Sequence, residues 1–305
     1  MTLDELITDI RRELNEPSAT GYFSDSELAA YVNRGQDLMS AKIIESDQNF
    51  FEESDQTLGF VANQEEYELP AALWDRKITK VTRTDLSSPK QLSKIRFQEK
   101  DHYHSASVFL SGSGTDGEVY YLRGNKMGVK PTPTTTIATN LLIHYVFHPH
   151  ELHWAEVGSP DSTTFVMPTA TTGSSPLMKG GRVSTTPNYY VGARIRILGG
   201  TDRGLERKIT AYNVATRTAT IDSAWTAGNV QHQQYVILSP VPLEYHDGLY
   251  QYALMRAAKK KGDVTRYEMA SGDWARAWDT LVNTIEPRNF DENAHVRPPI
   301  DQHFD

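Results

Sequence analysis

The chain has 305 residues, with 31 Lys+Arg against 39 Asp+Glu, 15 Tyr, 5 Trp and no Cys. It is long enough for two cores and too aromatic for a disordered protein. The formal charge of −8 argues against gripping nucleic-acid phosphates, the missing cysteines exclude disulfides and thiolate metal sites, and no apolar run nears the ~20 residues that cross a bilayer.

Thr2 with Glu5 forms a capping box, and Leu3, Leu6, Ile7, Ile10 and Leu14 follow at helical spacing. This charged, amphipathic start reads as a helix and not as a signal peptide, so export by the usual signals is not expected. After a loop with Pro17 and Gly21, Ser24 with Glu27 opens a second helix. Its stripe is Leu28, Tyr31, Val32, Leu38, Met39 and Ile43, and the two short helices read as a hairpin. From Thr57 to Phe147 the period falls to two. The expected strands are Leu58–Val61, Glu65–Leu69, Ile78–Thr84, Val119–Arg123, Met127–Lys130 and Leu141–Phe147. A tight turn is expected at Gly124-Asn125, a short helix within Ser93–His104, and a Pro/Thr linker over Pro131–Thr139.

Near His150 the pattern changes. Ser159–Pro187 reads as loop with one strand near Phe165. Strands follow at Ala193–Leu198, Glu206–Tyr212, Thr218–Asp222 and Gln234–Leu238, with turns at Gly199, Gly200, Gly204 and Asn213. Short, evenly spaced strands of this kind suggest a small antiparallel barrel or sandwich. Residues 151–235 hold 8 basic against 6 acidic side chains, about +2, which leaves 23 against 33, about −10, for the rest.

The helical period resumes after Pro242. Tyr245, Leu249, Tyr252 and Ala253 line one side of this helix, and Tyr250, Leu254, Ala257 and Ala258 another, so contacts are expected on two sides. Lys259, Lys260 and Lys261 before Gly262 fit a helix end better than a phosphate site. Asp263 caps a last helix carrying Tyr267, Ala270, Trp274, Ala277, Trp278, Leu281 and Ile285, which Ser271-Gly272 weakens and Pro287 ends. The expected class is α+β. A discontinuous helical body, 1–150 and 237–286, includes a small β region. It is interrupted by an inserted β-barrel or sandwich domain, 151–236, and followed by an extended arm, 287–305. The junction, Leu141–Trp154 leaving and Tyr235–Pro242 returning, reads as a two-strand stalk.

His144, His148 and His150, with Glu151 and His153 close by, are the residue types that bind zinc, which would suit a metal-dependent hydrolase. Pro149 breaks regular strand geometry there and no spaced fourth ligand follows, so a stalk position is the favoured reading. Gly112, Gly114 and Gly117 have the spacing of a dinucleotide loop. The strand-like Glu118–Tyr121 follows them where a helix is required. His102 and His104 beside Asp101 lack a nucleophile-bearing turn. Trp225 with Tyr189, Tyr190 and Tyr212 suits either a sugar platform or the core of a small β module, and the core is favoured. No catalytic residue, cofactor or metal site is expected.

Several segments carry a resemblance through their order and spacing. They are Phe23-Ser24-Asp25-Ser26-Glu27-Leu28 with Tyr31-Val32-Asn33-Arg34-Gly35, then Tyr67-Glu68-Leu69-Pro70 with Ile78–Thr82. Pro131-Thr132-Pro133 ahead of Leu141–Tyr145 follows, and Pro242–Leu249 with Lys261-Gly262-Asp263 completes the set. Together they resemble the head-to-tail adaptor, or connector, proteins of tailed bacteriophages. The stretch Gly199–Gly204, Arg207–Asn213, Thr216–Ile221 and Trp225 resembles a recurring β module of phage virion proteins.

The resemblance implies a non-enzymatic protein of the virion neck or tail, assembled in the host cytoplasm. It implies a homo-oligomeric ring, of about twelve copies, beneath the portal protein and above a downstream tail or nozzle protein. Double-stranded DNA would pass through without specific binding, and no membrane partner is implied. Tyr250, Leu254 and Ala257 are the candidates for contact with a neighbouring subunit, and Phe290 and Phe304 for docking of the arm. The alternative is adhesion, with residues 151–236 holding a tail fibre or a host glycan. Deleting 155–234 should then spare the ring and abolish fibre attachment.

Overall fold

In the computed structural model, which describes residues 1–285 except 17–20, 48–49, 56–57, 70–72, 104–117, 159, 172, 174–175 and 226–232, two capped helices open the chain. In front of α1 (Leu3–Glu13) the Glu5 carboxylate accepts from the Thr2 backbone N–H at 2.8 Å. In front of α2 (Asp25–Ser46) the Ser24 hydroxyl accepts from the Glu27 N–H at 3.2 Å. The arms are unequal, 11 residues against 22. Arg11 ties them together: its buried guanidinium lies 2.6 Å from Asp25 and donates to the Phe23 carbonyl at 2.8 Å.

Among the described residues eight strands follow: β1 (Glu52–Asp55), β2 (Glu66–Glu68), β3 (Leu73–Arg83), β4 (Lys90–Gln91), β5 (Ser93–Lys94), β6 (Val119–Arg123), β7 (Lys126–Lys130) and β8 (Leu141–Phe147). They form two four-stranded sheets, β1-β8-β3-β4 and β2-β7-β6-β5. Tyr67, Val81, Met127, Val129, Leu141 and Ile143, drawn from both sheets, meet in a core of their own. The turn at Gly124-Asn125 joins β6 to β7, with Gly124 at φ 57°. The expected strand Leu58–Val61 reduces to a single bridge between Phe60 and Ile137. Within Ser93–His104 there is β5 and then a 3-10 turn over Phe97–His102.

Seven more described strands, β9 (Trp154–Glu156), β10 (Thr164–Val166), β11 (Met178–Gly180), β12 (Arg194–Ile197), β13 (Glu206–Asn213), β14 (Thr218–Ile221) and β15 (Gln234–Ile237), build one antiparallel sheet. Its order is β10-β14-β13-β12-β15-β9-β11. Gly158, just past β9, exchanges two backbone hydrogen bonds with Val166 of β10, at 3.0 and 2.7 Å. The sheet therefore curls into a half-barrel, and the α+β class holds. The expected stalk forms only at its far end, where Trp154 pairs with Val236 and the Ile237 N–H donates to the His153 carbonyl at 3.0 Å. It does not reach back along β8, whose two edges are occupied by β1 and β3, and the returning β15 pairs with β9 and β12.

The chain closes with α3 (His246–Lys261) and α4 (Val264–Thr284). Gly262 ends α3 in the left-handed region, φ 77°, and Asp263 caps α4 by accepting from the Arg266 N–H at 3.1 Å. The helix runs through Ser271-Gly272 without a break. A second core joins the helices to the curled sheet: Leu3, Ile7, Val32 and Met39 belong to it, as do Phe165, Tyr190, Ile195, Ile209 and Tyr235, and Leu249, Ala253 and Leu281. Phe147, at the end of β8, packs against both cores.

Candidate functional site

The histidines of residues 144–153 point to different places. His144 on β8 has its Nδ1 3.2 Å from the Glu52 carboxylate on β1. His148 donates from Nδ1 to the Pro149 carbonyl at 2.8 Å. His150 is buried between Phe147, stacked at 6.0 Å, and Tyr189, edge-on at 5.5 Å. Burial, helped by the charge of His148, pushes its pKa down to about 4. His153 has no exposed surface; the rings of Tyr190 and Tyr235 stand edge-on at 5.3 Å each, and its Nε2 is hydrogen-bonded to the Tyr235 hydroxyl at 2.8 Å. Burial takes its pKa to about 3. Among the described residues no three His, Cys, Asp or Glu side chains are grouped to hold a metal ion.

What this segment does is join α2 to the curled sheet. Gln36 donates to the His150 carbonyl at 2.9 Å. Asn33 donates to the Leu152 carbonyl at 3.0 Å and accepts from the Leu152 N–H at 2.7 Å. Both are polar residues spaced one helical turn apart on a helix otherwise read for its apolar stripe, which is why their role was not visible in the sequence. On the sheet side, the Tyr189 hydroxyl accepts from the Glu151 N–H at 2.9 Å, and Arg182 grips the Glu151 carboxylate with two bonds, 2.9 and 2.7 Å.

The aromatic set is core. Trp225, Tyr190 and Tyr212 are buried and Tyr189 is packed against them, so these rings present no sugar platform. Phe165 meets Trp225 at 6.0 Å and Tyr235 at 5.1 Å, and Tyr190 meets Tyr212 at 5.0 Å. His102 is exposed at the end of its 3-10 turn. Gly112, Gly114, Gly117, His104, Phe290 and Phe304 lie outside the described residues. Lys260 pairs with Glu27 at 2.6 Å and Lys261 with Glu16 at 2.7 Å, while Lys259 lies 5.8 Å from the Tyr267 ring. The lysine run thus fastens the end of α3 to the neighbouring helices.

On α3, Leu254 and Ala257 are buried by the chain itself, and only Tyr250 of the three interface candidates is partly open. Burial, with Glu13 and Asp9 adding to it, pushes the Tyr250 hydroxyl up to about 12. The two apolar sides of α3 are covered by α1 and α2 and by α4. The open surface lies at the ends of the α3–α4 hairpin and along α4, where only Ala270 and Leu281 are fully covered. Leu243 is 67 % exposed and Val282 37 % at one end; Tyr22 is 58 % and Val264 64 % exposed at the other. A groove of about 420 Å³ between the start of α3 and the second half of α4 is lined by Glu244, Asp247, Gln251, Asp273, Arg276 and Thr280. Leu243, Tyr22 and Val264 sit beside helix starts, outside any periodic stripe, and so carried no signal in the pattern.

A family model described as SU10 adaptor protein matches residues 1–168, more than half of the chain. The matched stretch takes in α1, α2, both four-stranded sheets, β9 and β10, and stops before α3 and α4. No curated protein matches the chain.

Proposed function

The chain belongs to the SU10 adaptor protein family, and from that premise we propose that it works as a ring of about twelve copies between the portal and the tail of a phage particle. The family makes it a structural protein of the virion neck. The finer reading is that the ring docks beneath the portal protein, receives a downstream tail component and surrounds the DNA conduit. One observation carries it: the family match spans a continuous stretch of helices and sheets rather than a short motif. The charge of −8 supports a wall that DNA slides past, because a surface rich in carboxylates gains nothing from counterion release. In this reading the body comprises 1–150 and 237–286, the insert 151–236 and the arm 287–305, and the protein catalyses nothing.

The test mixes the full chain with the portal protein of the same virus and images the product by negative-stain electron microscopy. A second ring stacked coaxially on the portal is the expected result. A chain that stays monomeric in the presence of portal, and does not sediment with it, overturns the proposal.

A further inference from the structure

We propose that the two ends of the α3–α4 hairpin are complementary docking surfaces, so that the groove end of one copy receives the basic, aromatic end of the next. The inference rests on the adaptor reading and names the contact through which its ring is built.

At the groove end, Asp273 is already paired with Arg276, which leaves the exposed Glu244 and Asp247 to set the sign. Leu243 and Val282 supply apolar surface beside them. Towards the far end, the exposed Arg256 and Lys259 outnumber the exposed Glu268 and set the opposite sign. Here Lys260 is held over the Tyr22 ring at 5.4 Å, and the open faces of Tyr22 and Val264 supply the apolar surface. Each end thus has what the other lacks in charge and a matching patch of exposed carbon. Asp247 and Arg256 stand nine residues apart on α3, about 14 Å along its axis and half a turn round it.

The occupant is a second copy because both halves of the contact are present on one chain. A like-to-like contact would set Glu244 and Asp247 against their own copies, or Arg256 and Lys259 against theirs, and like charges brought together oppose association. Joining unlike ends is heterologous, and heterologous contacts propagate until the rotation closes a ring. Closure in this case needs no second protein to supply the complementary charge.

The test uses the full chain and three variants: Asp247→Lys, Arg256→Glu and the two combined. Mass photometry reads self-association and the number of copies loaded on the portal ring, and thermal melts check that each variant is folded. Each single reversal is expected to raise the concentration for half-loading by about tenfold or more, and the combined swap to bring it back to within about threefold of the natural chain. Leu243→Ser, which leaves all charges in place, should also weaken loading. Folded single variants that load like the natural chain overturn the proposal and leave the adaptor reading standing. Impaired single variants with no recovery in the swap also overturn it, because the two surfaces would then face another protein such as the portal. A natural chain that neither self-associates nor loads overturns both.

Discussion

His150 and His153 are buried as neutral rings where α2 meets the curled sheet, and this couples the fold to acid. An unfolded histidine titrates near 6.5, whereas in the fold burial holds these two at about 4 and about 3. Between those values the unfolded chain binds more protons, so stability is full above pH 6.5 and falls as the pH drops through that window. Each histidine contributes a slope of up to about 1.4 kcal/mol per pH unit. Glu16, Glu27, Glu65 and Asp85, held below their ordinary range by their partners, add to the loss at lower pH. His153→Gln isolates one histidine: urea midpoints measured from pH 7 to pH 4.5 should fall less steeply than in the natural chain, and parallel curves would rule this account out. A second residue with a sharp consequence is Gly128, which faces Tyr121 across β6 and β7. A Cβ there would lie 2.0 Å from the tyrosine Cζ, so Gly128→Ala must displace the ring and break its hydrogen bond to Glu65. A loss of about 1–3 kcal/mol in urea unfolding is expected, shrinking when Tyr121 is also cut back to Ala. Of the residue-scale features, the caps at Thr2, Ser24, Asp263 and Gly262 were legible because capping is local. The histidine cluster was visible as a cluster. The burial of His150 and His153 was not, because that depends on tyrosines far along the chain.

Elements with their own periodicity were legible, and elements made by their partners were not. The last two helices, β6, β8 and most strands of the curled sheet stand where alternation or helical spacing put them. Glu52-Glu53-Ser54-Asp55 has low strand propensity and becomes β1 only because β8 offers an open edge, with Glu52 opposite Val146 and Asp55 opposite Ile143. β9 and β11 are three residues each, too short to show a period. The apolar faces of α3 were read correctly as two, but a pattern says which side is covered and not by what. The same gap affects residues 151–236. Phe165, Tyr190, Ile195, Ile209 and Tyr235 complete the core that also holds α1, α2 and α3. A chain lacking 155–234 is therefore expected to lose its helical circular-dichroism signal and to aggregate, rather than to keep a ring. A soluble, helical deletion variant that still stacked on the portal would show that the helices need no sheet beneath them. The expectation that residues 151–236 hold a fibre is better probed by surface substitutions that leave this core intact.

At the scale of the whole molecule, the α+β class and the family segments from Phe23 to Tyr145 were legible because both are linear properties of the chain, whereas Pro242–Leu249 and Lys261–Asp263 lie beyond the matched residues 1–168. The arrangement of the cores was not. One core joins the first, second and last helices to residues far away in sequence, and the other is confined to the paired sheets. β8 belongs to both: Leu141, Ile143 and Tyr145 face the paired-sheet core, while Val146 enters the helical one. In mechanical terms β8 is a tie-bar. It is bonded on one edge to β1 and on the other to β3. A pull along its length loads those bonds together, in shear. Peeling it from one end would break them singly, but the Phe147 end is gripped by Phe51, whose backbone carbonyl accepts from the Phe147 N–H at 3.0 Å and whose ring meets it at 5.4 Å. A strand anchored in this way can carry tension from one core of the protein to the other.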